Sequence, residues 1–244
     1  MFDGCAARFF CLYLLSLQSY WFKFLLCSNT TDRSCTSIYS KCPGPFIKGL
    51  KLYAQKVKAE FRELILKKRD GLDVEQRIDK SITAAELANH HVKFDPGTVI
   101  SGFFPIKSEI DPRPLMDHFR ARGAVLCLPV VIDKTKIVFR ELVRGAELID
   151  TGFGTRGPAD DARVVDPAIL LVPLSVFDRK GGRIGYGAGY YDQAISRLVE
   201  KGISPVTIGV AFDCQQYDLV PQEPHDVAMN AIITESGYRE SDID

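Results

Sequence analysis

The sequence has no excess charge of either sign and no long run of basic residues. Over 244 residues, 31 Lys and Arg balance 31 Asp and Glu, so the formal net charge is zero. A protein that holds nucleic acid needs a basic field or patch against the phosphate backbone. We therefore expect no nucleic-acid partner, and any anion must be bound by individually placed residues.

The sequence also lacks the cysteine spacing of a zinc site or of a disulfide framework. Cys127 lies in an apolar run and is expected to be a small buried hydrophobic residue. The absence of a disulfide pattern favours a reducing compartment, and we predict a cytoplasmic location. Five of the seven cysteines lie in the first fifth of the chain, with no C-x-x-C spacing and no neighbouring histidine: Cys5, Cys11, Cys27, Cys35 and Cys42.

The common nucleotide and hydrolase fingerprints are missing as well. No Lys-Ser or Lys-Thr follows a glycine-rich loop, as a Walker motif requires. Tyr190 stands where the third glycine of a dinucleotide fingerprint would be. Without a Gly-x-Ser-x-Gly elbow, a serine hydrolase triad has no support.

The first fifty residues differ in composition from the rest. Residues 9–26 are rich in Phe, Leu and Tyr, like a signal or a marginal membrane segment, but only Arg8 precedes them and Lys23 interrupts them. We expect residues 1–50 to be an extension outside the core, signal-like or the product of a misassigned start. Residues 51–244 are expected to form a single domain, monomeric and without a membrane partner.

Two helices are predicted after the extension. Residues 51–70 place Val57, Phe61 and Ile65 on one apolar face, and Gly71 ends the helix. Asp73 is predicted to cap the second helix. In that helix Val74, Ile78 and Ile82 lie on one side.

The remaining chain alternates strands and helices. Asp111 followed by proline predicts a helix start, and Gly123 its end. This alternation predicts an α/β fold with a mostly parallel sheet and helices on both faces. Ligands of such sheets bind beyond the carboxyl ends of the strands. The predicted strands span residues 98–106, 124–132, 137–143, 168–177, 207–212 and 227–234, with a long irregular segment at 151–167.

The most distinctive segment is a glycine loop, residues 185–189, between a predicted strand and a predicted helix. Its glycines at alternate positions permit a sharp bend and a close approach to a ligand. The helix N-terminus that follows offers N–H groups to an anion. Arg183 adds a positive charge and Asp192 a carboxylate for a metal. The segment therefore predicts a nucleotide-phosphate site; the alternative is a glycine-rich turn with two packed tyrosines.

Four further side chains are candidates for the site. Lys58 and Arg62 are four residues apart and share a helix face, either solvated or reaching the phosphates. Glu109 follows a strand end and is either a turn residue or an acceptor for amino donors of a substrate. Asp226 is either a turn residue or, with Asp192, a ligand of one magnesium ion.

These segments, in order, resemble the 5-formyltetrahydrofolate cyclo-ligase family, also called the 5,10-methenyltetrahydrofolate synthetase family. The segment at 182–192, Gly-Arg-Ile-Gly-Tyr-Gly-Ala-Gly-Tyr-Tyr-Asp, is the most specific element. Weaker matches lie at residues 58–62, 104–111, 224–226 and 231–234, and the resemblance spans residues 57–235.

The resemblance implies a three-layer α/β/α sandwich that uses ATP and Mg²⁺ to cyclise 5-formyltetrahydrofolate, releasing ADP and phosphate. It implies that Lys58 and Arg183 assist the chemistry and that Asp192 and Asp226 hold the metal. The implied ATP-binding residues are Lys58, Arg62, Arg183, Ile184, Gly185, Tyr186, Gly187, Ala188, Gly189, Tyr190 and Tyr191. The implied folate-binding residues are Phe104, Glu109, Tyr186, Gly187, Ala188, Gly189 and Tyr190.

Two other functions stay open from the residues alone. One is a nucleotide- or folate-binding module without turnover, which would keep the glycine loop but need no catalytic cation. The other is a sugar-phosphate isomerase of similar sandwich type, which would act without ATP. The presence of Arg183, Asp192 and Glu109 together favours the enzyme over the module.

Overall fold

The computed structural model describes residues 44–152, 154–223 and 226–242, with side chains from residue 55 onward. The chain divides into two units, Met1–Tyr53 and Ala54–Asp244. The apolar segment at residues 9–26 lies outside the described residues, and so does His225. Among the described residues, no helix is both long enough and apolar enough to cross a membrane.

Four α-helices, one 3-10 helix (Asp213–Gln215) and twelve strands form the described part of the chain. The helices are α1 (Gly44–Asp70), α2 (Val74–Ala88), α3 (Arg113–Ala121) and α4 (Tyr190–Glu200). The strands are β1 (Val99–Ser101), β2 (Val125–Val131), β3 (Ile137–Glu141), β4 (Leu148–Asp150), β5 (Arg156–Pro158), β6 (Val164–Val165), β7 (Ile169–Pro173), β8 (Val176–Phe177), β9 (Arg183–Ile184), β10 (Val206–Val210), β11 (Ala231–Thr234) and β12 (Gly237–Glu240).

Eight strands form one sheet in the order β12-β11-β10-β7-β1-β2-β3-β6. The five central strands, from β11 to β2, pair in parallel. Antiparallel strands close both edges, with β12 at one edge and β3 and β6 at the other. The predicted α/β fold with a mostly parallel sheet is therefore confirmed.

The sheet separates two layers of apolar packing. Side chains of a strand point alternately to its two faces. In β7, Ile169 and Leu171 pack into the layer that contains the buried side chains of α2 and α3. Leu170 and Val172 pack into the other layer, with Ala194 of α4. The helices thus lie on both faces, as in a three-layer α/β/α sandwich.

The side of α2 that carries its branched apolar residues is not its buried face. Val74, Ile78 and Ile82 are 63%, 53% and 43% exposed. The helix packs instead through small side chains, which allow a close approach to its neighbours but give a weak hydrophobic signal in the sequence. These buried residues are Ser81, Ala84, Ala85 and Ala88.

Several predictions need correction. The segment 151–167, predicted to be irregular, contains β5 and β6, and the strand predicted at 227–234 begins at Ala231. The strand predicted at 98–106 ends at Ser101, and the one predicted at 168–177 ends at Pro173. Ser175 then donates its backbone N–H to the carbonyl of Ile184, 2.7 Å away, which starts the separate β8–β9 hairpin. Asp111 is not the N-cap of α3, because Pro112 holds that position; the Asp111 carboxylate accepts the N–H of Arg113 at 3.0 Å instead.

The turn of the β8–β9 hairpin packs directly against the segment before β11. Gly181 has φ 79°, and a Cβ added there would lie 2.3 Å from the carbonyl oxygen of Met229. The Gly181 carbonyl accepts the N–H of Met229 at 2.9 Å. The hairpin that leads into the glycine loop therefore depends on glycine at this position.

Gly181→Ala is expected to lower the free energy of unfolding by about 2 to 5 kcal/mol, because left-handed backbone strain and overlap with Met229 add together. Gly202→Ala is the matched control: its φ is 81° and nothing lies within 4 Å of the added Cβ. The control should lose only about 1 to 2 kcal/mol, from backbone strain alone. Urea unfolding of both variants measures the difference. Equal losses would contradict this account of the turn.

Candidate active site

The glycine loop connects β9 to the start of α4. Gly187 and Gly189 have φ angles of 102° and 66°, which favour glycine at both positions. Gly189 is the N-cap residue of α4, so no N-cap side chain bonds to the first N–H groups of that helix. The element directly before the loop is the two-residue strand β9, not the main-sheet strand that the sequence predicted. The loop is therefore carried by a hairpin beside the sheet.

Arg62 of α1 lies against the glycine loop. Its Nε donates to the carbonyl oxygen of Gly185 at 2.7 Å. A Cβ added at Gly187 would lie 3.3 Å from Nη2 of Arg62, so the guanidinium lies directly beside that glycine. Partial burial lowers the pKa of Arg62 from its ordinary value. The structure thus brings Arg62 to the predicted loop.

Lys58, one helical turn earlier in α1, pairs with two carboxylates. Its Nζ lies 3.0 Å from Oε2 of Glu223 and 2.5 Å from Oδ2 of Asp226. The Glu223 N–H also donates to Asp226 Oδ2 at 2.7 Å. Sequence reasoning missed Glu223, and the only signal was its position three residues before Asp226 in a polar turn.

Arg183 and Asp192 form a second ion pair on the other flank of the loop. Nη2 of Arg183 donates to Oδ1 of Asp192 at 2.8 Å, and Nη1 donates to the carbonyl of Val227. The N–H of Val227 donates to the same Asp192 oxygen at 3.1 Å. Because Val227 follows Asp226 directly, this contact brings the two predicted metal ligands close together.

The donor set around Asp192 and Asp226 fits a magnesium ion that phosphate oxygens help to hold. Magnesium in nucleotide sites takes one or two carboxylates, and waters and phosphate oxygens complete its shell. Both hydrogen bonds that the Asp192 carboxylate accepts within the described part of the chain fall on Oδ1. Within the described ranges, no group of three or more His, Cys, Asp or Glu side chains could hold a metal. These residues therefore do not form an all-protein cage.

Arg69 of α1 is a buried member of the site that is not among the candidates drawn from the sequence. It is 1% exposed; its Nε donates to Ser108 Oγ at 3.0 Å and its Nη2 to the hydroxyl of Tyr186 at 2.8 Å. The sequence indicates this burial through the spacing of Arg69 from the apolar residues of α1. Arg69 follows Phe61 and Ile65 at intervals of four residues, which puts it on the buried face of α1.

Glu109 lies in a tight turn after β1, beside Arg69. Its neighbour Lys107 has φ 54°, and Oε2 of Glu109 accepts the N–H of Ile106 at 2.8 Å. Glu109 is 8% exposed, and its Oε1 accepts no hydrogen bond from the described residues. Burial raises the pKa of Glu109. The Ile106 N–H, the charge of Arg69 and the Tyr186 hydroxyl each lower this pKa, but together they do not cancel the effect of burial. Burial, with the charge of Glu109, also raises the pKa of Tyr186 to about 12.

The remaining predicted residues differ in their surroundings. Ile184 is buried in a small apolar cluster with Ile65, and Ala188 is exposed. The Tyr191 hydroxyl is buried without a hydrogen-bond partner among the described residues, and burial raises its pKa. Tyr190 packs against the core layer of α4. Phe104 is half-buried, with the Arg113 guanidinium 5.2 Å from its ring centroid.

Comparison with known proteins gives a consistent result. The model of the 5-formyltetrahydrofolate cyclo-ligase family matches residues 54–235. The 5-formyltetrahydrofolate cyclo-ligase of Escherichia coli (strain K12) is 27% identical over 179 residues, 71% of this chain and 97% of that protein. The 5-formyltetrahydrofolate cyclo-ligase of Mycolicibacterium smegmatis is 32% identical over 146 residues, 57% of this chain and 74% of that protein.

A solved structure has a similar fold. The NMR structure of Aquifex aeolicus 5,10-methenyltetrahydrofolate synthetase aligns with a TM-score of 0.64 and 26% identity. The alignment covers 77% of this chain and 94% of that chain.

Glu109→Gln is expected to raise the free energy of unfolding at about pH 7.5. The folded state raises the pKa of this carboxyl, so ionisation of Glu109 opposes folding at pH values above its ordinary value of 4.5. The gain should shrink as the pH falls towards 4.5 and disappear below it, where Glu109 is protonated in both states. Urea unfolding across this pH range measures it. Glu86→Gln, an exposed change on α2, is the control and should show no such trend.

Proposed function

Since the chain belongs to the 5-formyltetrahydrofolate cyclo-ligase family, we propose that it is the enzyme that cyclises 5-formyltetrahydrofolate to 5,10-methenyltetrahydrofolate. The proposed reaction consumes ATP with Mg²⁺ and releases ADP and phosphate. The observation that carries the proposal is the family match over residues 54–235, a range that includes the glycine loop and the cations beside it.

The chemistry needs positioning and charge neutralisation more than a protein nucleophile. The formyl group is amide-like and a poor electrophile. Transfer of the γ-phosphoryl group of ATP to the formyl oxygen releases ADP and turns that oxygen into a leaving group. The neighbouring folate nitrogen then attacks the same carbon and loses its proton, and the C–O bond breaks as phosphate departs. Such phosphoryl transfer depends mainly on alignment and on cations around the phosphates.

The cations beside the loop keep donors for these phosphates. A guanidinium has five N–H donors and an ammonium three. In its hydrogen bonds to described residues, Arg183 uses one hydrogen on each Nη, and Arg62 donates through Nε alone. Lys58 pairs with two carboxylates and retains a third donor. The N–H groups at the start of α4 would add to the phosphate site.

Asp192 and Asp226 are the proposed ligands of magnesium, which would neutralise phosphate charge when bound. Their ion pairs with Arg183 and Lys58 orient the two carboxylates before any ligand arrives. Because the same cations compete with the metal for the carboxylates, we propose that magnesium arrives with its nucleotide, whose phosphate oxygens complete the shell.

Glu109 is the proposed acceptor for amino or amide donors of the folate. Its Oε1 is buried and accepts no hydrogen bond from the described part of the chain, so a bound donor would satisfy it. Phe104 and residues 186–190 would complete the folate contacts. We further propose that the enzyme acts as a cytoplasmic monomer.

Wild-type protein mixed with ATP, Mg²⁺ and 5-formyltetrahydrofolate should produce methenyl absorbance, whereas ligand binding without product would favour a non-catalytic module. ATP-independent activity on sugar phosphates would favour an isomerase.

Arg183→Ala should lower turnover on the order of 100-fold, since it removes a cation from the transition state. Arg179→Ala removes an exposed cation of the same hairpin turn and should keep wild-type turnover. Wild-type kinetics in Arg183→Ala would remove that residue from the mechanism.

Asp192→Asn is expected to raise the magnesium concentration for half-maximal turnover by about tenfold or more, because it takes a charge from the metal site. The measurement is a magnesium titration of initial rates at saturating ATP and folate. Asp218→Asn, an exposed change of the same kind, should leave the titration unchanged. An unaltered midpoint in Asp192→Asn would count against the metal role.

A further inference from the structure

Arg69 connects the two parts of the site that would hold different substrates. One arm of its guanidinium, Nη2, donates to the hydroxyl of Tyr186 in the glycine loop at 2.8 Å. Another, Nε, donates to Ser108 Oγ at 3.0 Å, one residue before Glu109. A single planar group therefore fixes the distance between the loop and the turn after β1.

The residue after Arg69 is linked to the same turn. Ser108 Oγ donates to the carboxylate of Asp70, so the end of α1 and the Glu109 turn are linked twice. The side chain of Arg69 is 1% exposed, which leaves no room for it to move aside into solvent. Arg is suited to this role because its five donors project in a rigid plane.

Two buried groups at this junction lack partners among the described residues. They are Nη1 of Arg69 and Oε1 of Glu109. A buried polar group without a hydrogen bond costs about 1 to 3 kcal/mol, and a charged one more. Atoms of this kind in a folded protein usually await a ligand or a water. The Tyr186 hydroxyl also faces Glu109 directly and lowers the pKa of that carboxyl, so a movement of Tyr186 would reach Glu109 both directly and through Arg69 and Ser108.

We propose that Arg69 is a positioning residue that couples the nucleotide and folate positions, so that each ligand binds more tightly when the other is present. This inference rests on the proposed function. Nucleotide bound at the glycine loop would hold Tyr186 in place, Tyr186 would hold Arg69, and Arg69 would hold the Glu109 turn in its binding geometry. By linkage, folate must raise the affinity for nucleotide by the same factor.

The test is a calorimetric titration of full-length protein with Mg²⁺ and a non-hydrolysable ATP analogue, with and without saturating 5-formyltetrahydrofolate. The wild type should bind the analogue about fivefold or more tightly when folate is present. In Arg69→Lys and Arg69→Met this ratio should fall to about one. Arg122→Met is the matched control, because Arg122 donates to the carbonyl of Val92 and lies over Phe94; it should keep the wild-type ratio.

Two milder variants keep the test valid if the Arg69 variants do not fold. Tyr186→Phe and Ser108→Ala each remove one hydrogen bond of Arg69, the first to the glycine loop and the second to the turn after β1. Each variant should reduce the affinity ratio. The double variant should reduce it no further than the more damaging single variant does, because both substitutions interrupt the same connection between the loop and the Glu109 turn. Additive losses, or a wild-type ratio in any folded Arg69 variant, would overturn the proposal. Methenyl formation by the wild type reports on the proposed function separately.

Discussion

The site depends on one row of cations along helix α1. Lys58, Arg62 and Arg69 lie on the same side of the helix, and each donates to a later part of the chain, Arg62 and Arg69 both to the glycine loop. Lys58 holds the turn at Asp226, Arg62 the backbone of the glycine loop, and Arg69 both Tyr186 and the turn after β1. Partly buried charges are costly unless they are paired, so each contact also fixes the position of α1 against the sheet domain.

Physical patterning predicted the centre of the fold well. The strands that became β2 and β7 are continuous apolar runs, as expected for parallel strands covered on both faces, and β10 is interrupted only by Thr207 and Gly209. The glycine loop was also predictable, because positive φ angles and close approach leave few alternatives to glycine. Its position beside the sheet was not, since the break at Pro173 and the short β8–β9 hairpin lie inside what the sequence presents as one apolar run.

The errors share a physical cause, which is that packing overrides single-residue preference. Branched side chains of α2 point to solvent while its alanines are buried, because the space beside α3 and the sheet suits small residues. Arg69 is buried although arginine is ordinarily exposed. The partner of Lys58 at Glu223 was not predictable from either residue, since only the completed fold brings them together.

The contact between Lys58 and Asp226 spans 168 positions of the chain. One half of the site is therefore translated near the start of the domain and the other half near its end. Domains of this kind fold as units, and contacts of such long range form only when both ends are available. A chain that ends just before Asp226 keeps the partners of Arg62 and Arg69 but lacks this partner of Lys58, so premature termination there yields a product in which the Lys58 end of the proposed phosphate site is incomplete.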